Sequence, residues 1–296
     1  MSVSRRAVLS GTGAILGASA LSAIVPGPAL AAPRGFRVHT APVAAGSVDS
    51  CVILGERKAL LVDGQLFAAD AAHVIEMIAA SGRELEAVFV THAHPDHHLG
   101  LAVIKARWPD ARIVAHAEVA AQIEALAPRQ HRVMRQRSGD AIADRTVTVS
   151  PLRRDRLQLE GEWLEVIGPM QGDTAVSTAL WVPQLGLLAA GDFAYAGTHL
   201  WMREVLSERA LDGWRASLRQ LEDLRPAIVV PGHRTPSFAN DASAFAFTRR
   251  YLDSWEAAVS GARTAQEVID RVRESMGVLP QENYLHFAAG AAFTRE

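Results

Sequence analysis

The order of apolar segments predicts an α/β protein built as an αββα sandwich, with two sheets face to face and helices outside. Two observations carry this reading. Strand-like runs cluster and helical runs follow them, and that plan occurs twice along the chain. The 296 residues suffice for one large core, and no Pro-, Gly- or Ser-rich linker divides them.

The first 31 residues stand outside the fold. Ser4-Arg5-Arg6-Ala7-Val8-Leu9 reads as a twin-arginine export signal, followed by a Gly/Ala/Ser-rich apolar stretch. Ala29-Leu30-Ala31 fits an A-x-A cleavage site. A retained membrane anchor is the alternative, because the stretch is long enough to span. Its weak hydrophobicity and the nearby cleavage site favour removal. The expectation is a periplasmic or secreted protein, residues 32–296, with no stable membrane anchor.

In the mature chain, residues 48–54 and 59–62 read as strands around the polar turn Gly55-Glu56-Arg57-Lys58. Residues 68–80 have helical apolar spacing through Val74, Met77 and Ile78, and stop at Ser81-Gly82. Residues 87–90 form a strand, and residues 99–108 a helix ended by Pro109. A strand at 112–115 precedes a helix at 118–135 with a break expected at Pro128. Strands are then predicted at 147–149, 156–159 and 163–167, with a hairpin of 178–182 and 187–190. An amphipathic helix at 211–224 leads to a strand at 227–230. Residues 242–259 and 265–276 close the pattern as helices. The tail from 280 to 296 carries no clear signal, and a short closing helix or partial disorder are both open.

Composition narrows the function. Lys and Arg number 30 against 32 Asp and Glu, a net charge of −2, so no basic surface argues for nucleic acid. The single cysteine, Cys51, lies in the apolar run Ser50-Cys51-Val52-Ile53-Leu54 and reads as a core thiol. The expected partner is a small-molecule substrate, and the oligomeric state is open.

The chemistry is concentrated in Thr91-His92-Ala93-His94-Pro95-Asp96-His97-His98-Leu99-Gly100, just after the run Ala87-Val88-Phe89-Val90. Zinc and similar divalent ions take imidazole nitrogens and carboxylate oxygens. In an extended segment His92 and His94 face the same way. Asp96 and His97 follow a proline that can turn them toward a second point. One peptide can thus serve two metals.

His92-Ala93-His94-Pro95-Asp96-His97 with Gly100 resembles the H-x-H-x-D-H-x-x-G signature of metallo-β-lactamase-fold hydrolases. Ala190-Gly191-Asp192 looks like that family's bridging-aspartate turn, and Pro231-Gly232-His233 like its last histidine ligand. The likeness spans roughly residues 40 to 240 and implies the same sandwich fold. It implies a first metal on His92 and His94, a second on Asp96, His97 and His233, and Asp192 bridging both. The metal implied is one or two zinc ions, with manganese or iron as other options, and Asp96 also orients the nucleophile. The activity implied is hydrolysis of an ester, lactone, thioester or related bond by a metal-bound hydroxide.

Family β-lactamases hold Cys or Ser where Asp192 stands, so Asp192 points to the lactonase- and glyoxalase II-like branch. A β-lactamase-type amide hydrolase is the alternative. The family's mid-chain histidine is missing. The segment reads Gly168-Pro169-Met170-Gln171-Gly172-Asp173-Thr174, and no histidine occurs between His131 and His199. Gln171 is the most economical replacement and Asp173 the second. A hydrolase using the second metal alone, or a metal-binding protein with a degenerate first site, are the other readings. His199 is a further contact candidate, because it follows Asp192 closely with Tyr195 and Trp201. His98 is expected in a supporting place and His116 as a helix cap.

Replacing Arg5 and Arg6 together by Lys should trap an uncleaved precursor in the cytoplasm, read by fractionation and mass. Efficient export of the double variant would contradict the twin-arginine reading.

Overall fold

The computed structural model describes residues 34–294; the export signal and the cleavage site lie outside them. The first half supplies β1 (Gly35–Thr40), β2 (Asp49–Leu54), β3 (Lys58–Val62), α1 (Ala68–Ala80), β4 (Glu84–Phe89) and α2 (Pro95–His98). It continues with α3 (Leu101–Arg107), β5 (Arg112–Ala115), α4 (Ala117–Ser138) and β6 (Ser150–Pro151). The second half supplies β7 (Arg156–Leu159), β8 (Glu162–Met170), β9 (Ser177–Val182), β10 (Leu187–Ala196), α5 (Glu208–Asp223) and β11 (Ile228–Arg234). Three helices finish the chain: α6 (Ser243–Gly261), α7 (Ala265–Met276) and α8 (Glu282–Phe293). Among the described residues no helix is long and apolar enough to cross a membrane.

The strands form a six-stranded sheet in the order β1-β2-β3-β4-β5-β6 and a five-stranded sheet in the order β11-β10-β9-β8-β7. Their inner faces share one apolar layer, with Ile53, Leu60 and Phe89 from the first sheet and Leu164, Leu180 and Leu187 from the second. Helices α1, α3 and α4 cover the outer face of the first sheet through Val74, Ile104 and Ile123. Helices α5 to α8 cover the second through Trp214, Tyr251, Val268 and Leu285. This is the αββα sandwich, and it follows from strands that bury both faces.

Several boundaries differ from the sequence expectation. Helix α4 runs through Pro128, which is exposed, so the carbonyl it leaves unpaired at Glu124 lies on the solvent side. The expected strand at 147–149 is irregular, and pairing falls instead on Ser150 and Pro151 at the sheet edge, where a proline is tolerated. The helix expected at 99–108 is the shorter α3, and a separate turn of helix, α2, forms before it within the histidine loop, with Leu99 and Gly100 between them. A Cβ on Gly100 would collide with Gly64 O, so the two loops of the site can approach only through glycine. Strand β1 has no counterpart in the sequence expectation, and α8 is the closing-helix option for the tail. Cys51 is buried in the inter-sheet layer, and His116 caps α4 by accepting from Glu118 N–H at 3.3 Å.

Both sheets deliver residues to one end of the sandwich. The Thr91 carbonyl, just after β4, accepts from Thr178 N–H at 2.9 Å and from its hydroxyl at 2.6 Å, fastening the first sheet to the second beside the histidine loop. Strand β10 is irregular around Gly191, with register shifts on either side against β11. Such irregularities re-aim side chains near functional sites. A Cβ on Gly232 would collide with Asp192 Oδ1, so glycine there lets β11 pass close to that carboxylate.

Candidate metal centre

Four imidazoles and three carboxylates converge at this end. His92, His94, Asp173 and Asp192 present ligand atoms within 4.8 Å of one another, and so do Asp96, His97 and His233. Asp192 joins the two groups. Its Oδ2 lies 3.7 Å from His92 Nε2 and 3.2 Å from His233 Nε2, and its Oδ1 lies 3.3 Å from His97 Nε2. Asp96 Oδ2 is 3.6 Å from His233 Nε2.

Each histidine spends its other nitrogen on an oxygen. His97 Nδ1 donates to Asp63 Oδ2 at 2.9 Å, and His233 Nδ1 donates to Gly46 O at 2.7 Å. His94 Nε2 donates to Glu204 Oε1 at 2.9 Å. Thr91 Oγ1 donates to Asp63 Oδ2 at 2.8 Å and therefore accepts from His92 Nδ1 at 2.9 Å. In the neutral rings these bonds leave Nε2 of His92, His97 and His233, and Nδ1 of His94, as lone pairs facing inward.

The inward atoms have the character of ligands. His92 Nε2, His97 Nε2, Asp173 Oδ1 and Asp192 Oδ1 are buried without a hydrogen-bond partner. A buried orphan of this kind is costly unless an ion satisfies it. Ligands of one tetrahedral ion at about 2.0–2.1 Å lie roughly 3.4 Å apart, close to the spacings around Asp192. The donor set fits divalent cations.

Electrostatics decide which of those nitrogens carries a proton before an ion binds. Burial holds the His92 pKa well below its ordinary value, so that ring is neutral. Against burial, Asp192 and Asp96 carry His233 up to about 9. Burial pushes Asp173 up to about 7, opposed by His94. Burial would also raise Asp192, but His233 and His97 hold it well below the carboxylate range. Without an ion, then, this pocket pairs protonated imidazoles with carboxylates. With one, the same groups are donors.

The structure places the sequence-derived candidates as follows. His92, His94, Asp96, His97, Asp192 and His233 share one cluster. Asp173, the second choice for the missing histidine, joins it: its Oδ2 is 3.0 Å from His94 Nδ1 and its side chain is fully buried. Gln171, the first choice, takes another place. Its amide donates to Gly172 O at 2.9 Å and its stem lies against Gly213 of α5. The loop between β8 and β9 is short, and it turns Asp173 inward instead. The expectation for His199 is likewise corrected. Its ring bonds to the Tyr251 hydroxyl at 2.8 Å, and its N–H donates to Pro280 O at 2.9 Å, so it anchors the C-terminal segment. His98 supports the loop, bonding Gln130 Oε1 at 3.0 Å while Gln130 Nε2 donates to Ala93 O at 2.8 Å.

Two contributors escape sequence reading. Asp63 orients His97 and, through Thr91, His92; its signal is a carboxylate closing the buried run Leu60-Leu61-Val62. Glu204 orients His94 from the loop after β10. Against burial, the hydrogen bond from His94 holds its pKa down at about 2. Tyr195 lies closer to the chemistry than its place beside His199 suggests. Wholly buried, it stacks on His233 at 4.9 Å and donates to Asp192 Oδ2 at 2.6 Å, with Asp173 Oδ2 3.2 Å away.

The fold and this cluster define a protein with a His/Asp cluster that could hold divalent metal at the mouth of an αββα sandwich. The model of the metallo-beta-lactamase superfamily matches residues 43–233, and the chain belongs to that superfamily, whose members typically bind one or two divalent metals. A hydroxyacylglutathione hydrolase from Acidiphilium cryptum (strain JF-5) is 39% identical over 101 residues, 33% of this chain. That match spans 39% of the relative's length. Among solved structures, a metallo-beta-lactamase family protein from Thermus thermophilus is similar with a TM-score of 0.56 at 21% identity, covering 85% of this chain and 91% of that one. The DIM-1 metallo-beta-lactamase is similar with a TM-score of 0.52 at 20% identity, covering 74% of this chain and 94% of that one. At these identities the structures speak for the fold alone.

Dialysed, metal-loaded protein should carry two ions per chain by elemental analysis. Asp173→Ala should reduce this to one, Asp173→His should restore two, and Gln171→Ala should change nothing. Loss of an ion in Gln171→Ala with retention in Asp173→Ala would reverse the assignment.

Proposed function

We propose that this protein is an exported, zinc-dependent hydrolase of a small ester, lactone, thioester or related carbonyl substrate. The observation that carries the reading is the convergence of orphaned imidazole and carboxylate atoms on Asp192 from both sheets. Superfamily membership supports it. Asp173 weighs against a degenerate first site, because it offers oxygen donors where the family histidine is missing. The arginine pair near the N-terminus supports action outside the cytoplasm.

Bound divalent ions supply such a site with a water acidic enough to attack at neutral pH and with electrophilic help at the carbonyl. The chain's own residues do the rest. Glu204, Thr91, Asp63 and the Gly46 carbonyl hold the four imidazoles in their tautomers. Tyr195 keeps one oxygen of Asp192 hydrogen-bonded and so fixes the central carboxylate. Most of the cluster is closed to water. The Asp96 side chain is 15% exposed and His94 is 17% exposed, and these two mark where a substrate enters. Asp96 is therefore placed to accept a proton from the attacking water and return it to the leaving group.

The aspartate at position 192 argues against β-lactams, since family β-lactamases hold Cys or Ser there. The hydroxyacylglutathione hydrolase relative adds a thioester of glutathione to the substrates worth testing.

Zinc-loaded protein should hydrolyse members of a lactone, ester and thioester panel faster than penicillins or carbapenems. Chelation and Asp96→Ala should each lower turnover at least 100-fold, in line with the about 10²–10⁴-fold effect of a general base. A higher kcat/KM on any β-lactam than on the whole panel would overturn the ranking. Full activity in chelator would remove the metal dependence.

A further inference from the structure

The C-terminal helix is built into the mouth of the metal centre. Three contacts seat its start. His199 N–H donates to Pro280 O at 2.9 Å. Gln281 Nε2 donates to Val43 O at 2.7 Å, in the loop whose Gly46 carbonyl holds His233. Arg273 of α7 binds both carboxylate oxygens of Glu282, at 3.2 and 2.7 Å. Within the next turns of helix come Tyr284 and Phe287.

Tyr284 stands over the site. Its ring meets His233 edge-on at 5.9 Å and Trp201 edge-on at 5.2 Å. Its hydroxyl approaches the Gly46 backbone closely enough that a Cβ there would lie 3.5 Å away. Among the described residues no group hydrogen-bonds to that hydroxyl. This half-buried phenol stands beside the His/Asp cluster with its hydroxyl free of protein partners, so a ligand at the mouth can take it in place of water.

Beside it runs an open aromatic face. Trp201 packs edge-on to His94 at 6.0 Å, to Tyr284, and to Phe287 at 6.1 Å. Phe287 is 46% exposed, while α8 buries Leu285, Ala288 and Ala289 on its other side. An exposed aromatic face continuous with a polar, nearly closed centre has the make-up of a ligand wall, apolar over most of its area with a few placed polar groups.

We propose that α8 furnishes the substrate-contact face of this centre: the Tyr284 hydroxyl donates to the substrate's carbonyl oxygen, and Trp201 with Phe287 holds an apolar arm. The substrates are thus carbonyl compounds with a flat or chain-like apolar group, not small polar ones. This rests on the hydrolase reading above for the carbonyl, and on Trp201 and α8 alone for the arm.

The test separates the two. Straight-chain carboxylates from acetate to octanoate, and 4-phenylbutyrate, are titrated by calorimetry into the zinc-loaded protein as product mimics. Affinity should rise about two- to fourfold per methylene over the first several carbons, the gain expected for partial to full burial of each group. Trp201→Ala and Phe287→Ala should each flatten that series while metal content stays at the wild-type value. The exposed Phe287 keeps the test available should Trp201→Ala fold poorly. Separately, Tyr284→Phe should leave metal content and the chain-length series intact and lower kcat on p-nitrophenyl hexanoate at least 10-fold, with KM nearly unchanged. A flat series in the wild type, or a slope indifferent to both aromatic variants, overturns the apolar wall. A Tyr284→Phe kcat within twofold of wild type overturns the role of the hydroxyl. If no ester is hydrolysed at all, the hydrolase reading and the Tyr284 role fail, and the carboxylate series still decides the wall.

Discussion

Asp192 is the group on which the site depends. A buried carboxylate is costly unless opposite charge or hydrogen bonds surround it. Here three imidazole nitrogens lie 3.2–3.7 Å from its oxygens, and a buried phenol donates to it at 2.6 Å. Much of the local architecture serves this arrangement. β10 breaks its register to turn the side chain inward, Gly232 lets β11 pass beside it, and Asp63 holds the histidine loop opposite. Without a cation such a set leaves carboxylates and imidazoles to neutralise one another, so any ion bound here would be linked to the stability of this end of the sandwich.

Asp63 shows how fold and chemistry share residues. It sits at the end of a buried strand with φ +60, accepts from Thr91 N–H and its hydroxyl, and takes the His97 ring proton as a hydrogen bond. Thr91 in turn binds the second sheet through Thr178. The loop carrying both halves of the centre is therefore held by the same bonds that join the sheets. Small displacements between the sheets would reach the ligand geometry directly. On the far side, His199, Gln281 and Arg273 fix the last helix against the mouth.

Most of the fold is legible because its periodicities are strong. The hairpin of β9 and β10 and the amphipathic α5 follow their apolar spacing closely. Strand β1 is hard to see although Phe36 and Val38 alternate with Arg37 and His39, a pattern too short to stand out beside the export signal. Helix α8 carries small residues and a weak apolar stripe, and its place is decided by tertiary anchors that leave no local signal. The site divides the same way. The histidine loop is contiguous and reads directly. Spacing cannot decide Asp173 against Gln171, because the path of a short loop determines which side chain faces inward. Glu204 and Tyr284 reach the centre from distant segments, through contacts invisible along the chain.

The central claim is that a carboxylate, Asp173, takes the place of an imidazole and completes a two-ion centre. Anomalous diffraction at the zinc edge on metal-loaded crystals tests it most directly. The account predicts two peaks roughly 3.5–4 Å apart, with an Asp173 oxygen about 2.0–2.2 Å from the ion that His92 and His94 hold. A single peak at His97 and His233, or two peaks with Asp173 turned away from both, would contradict it.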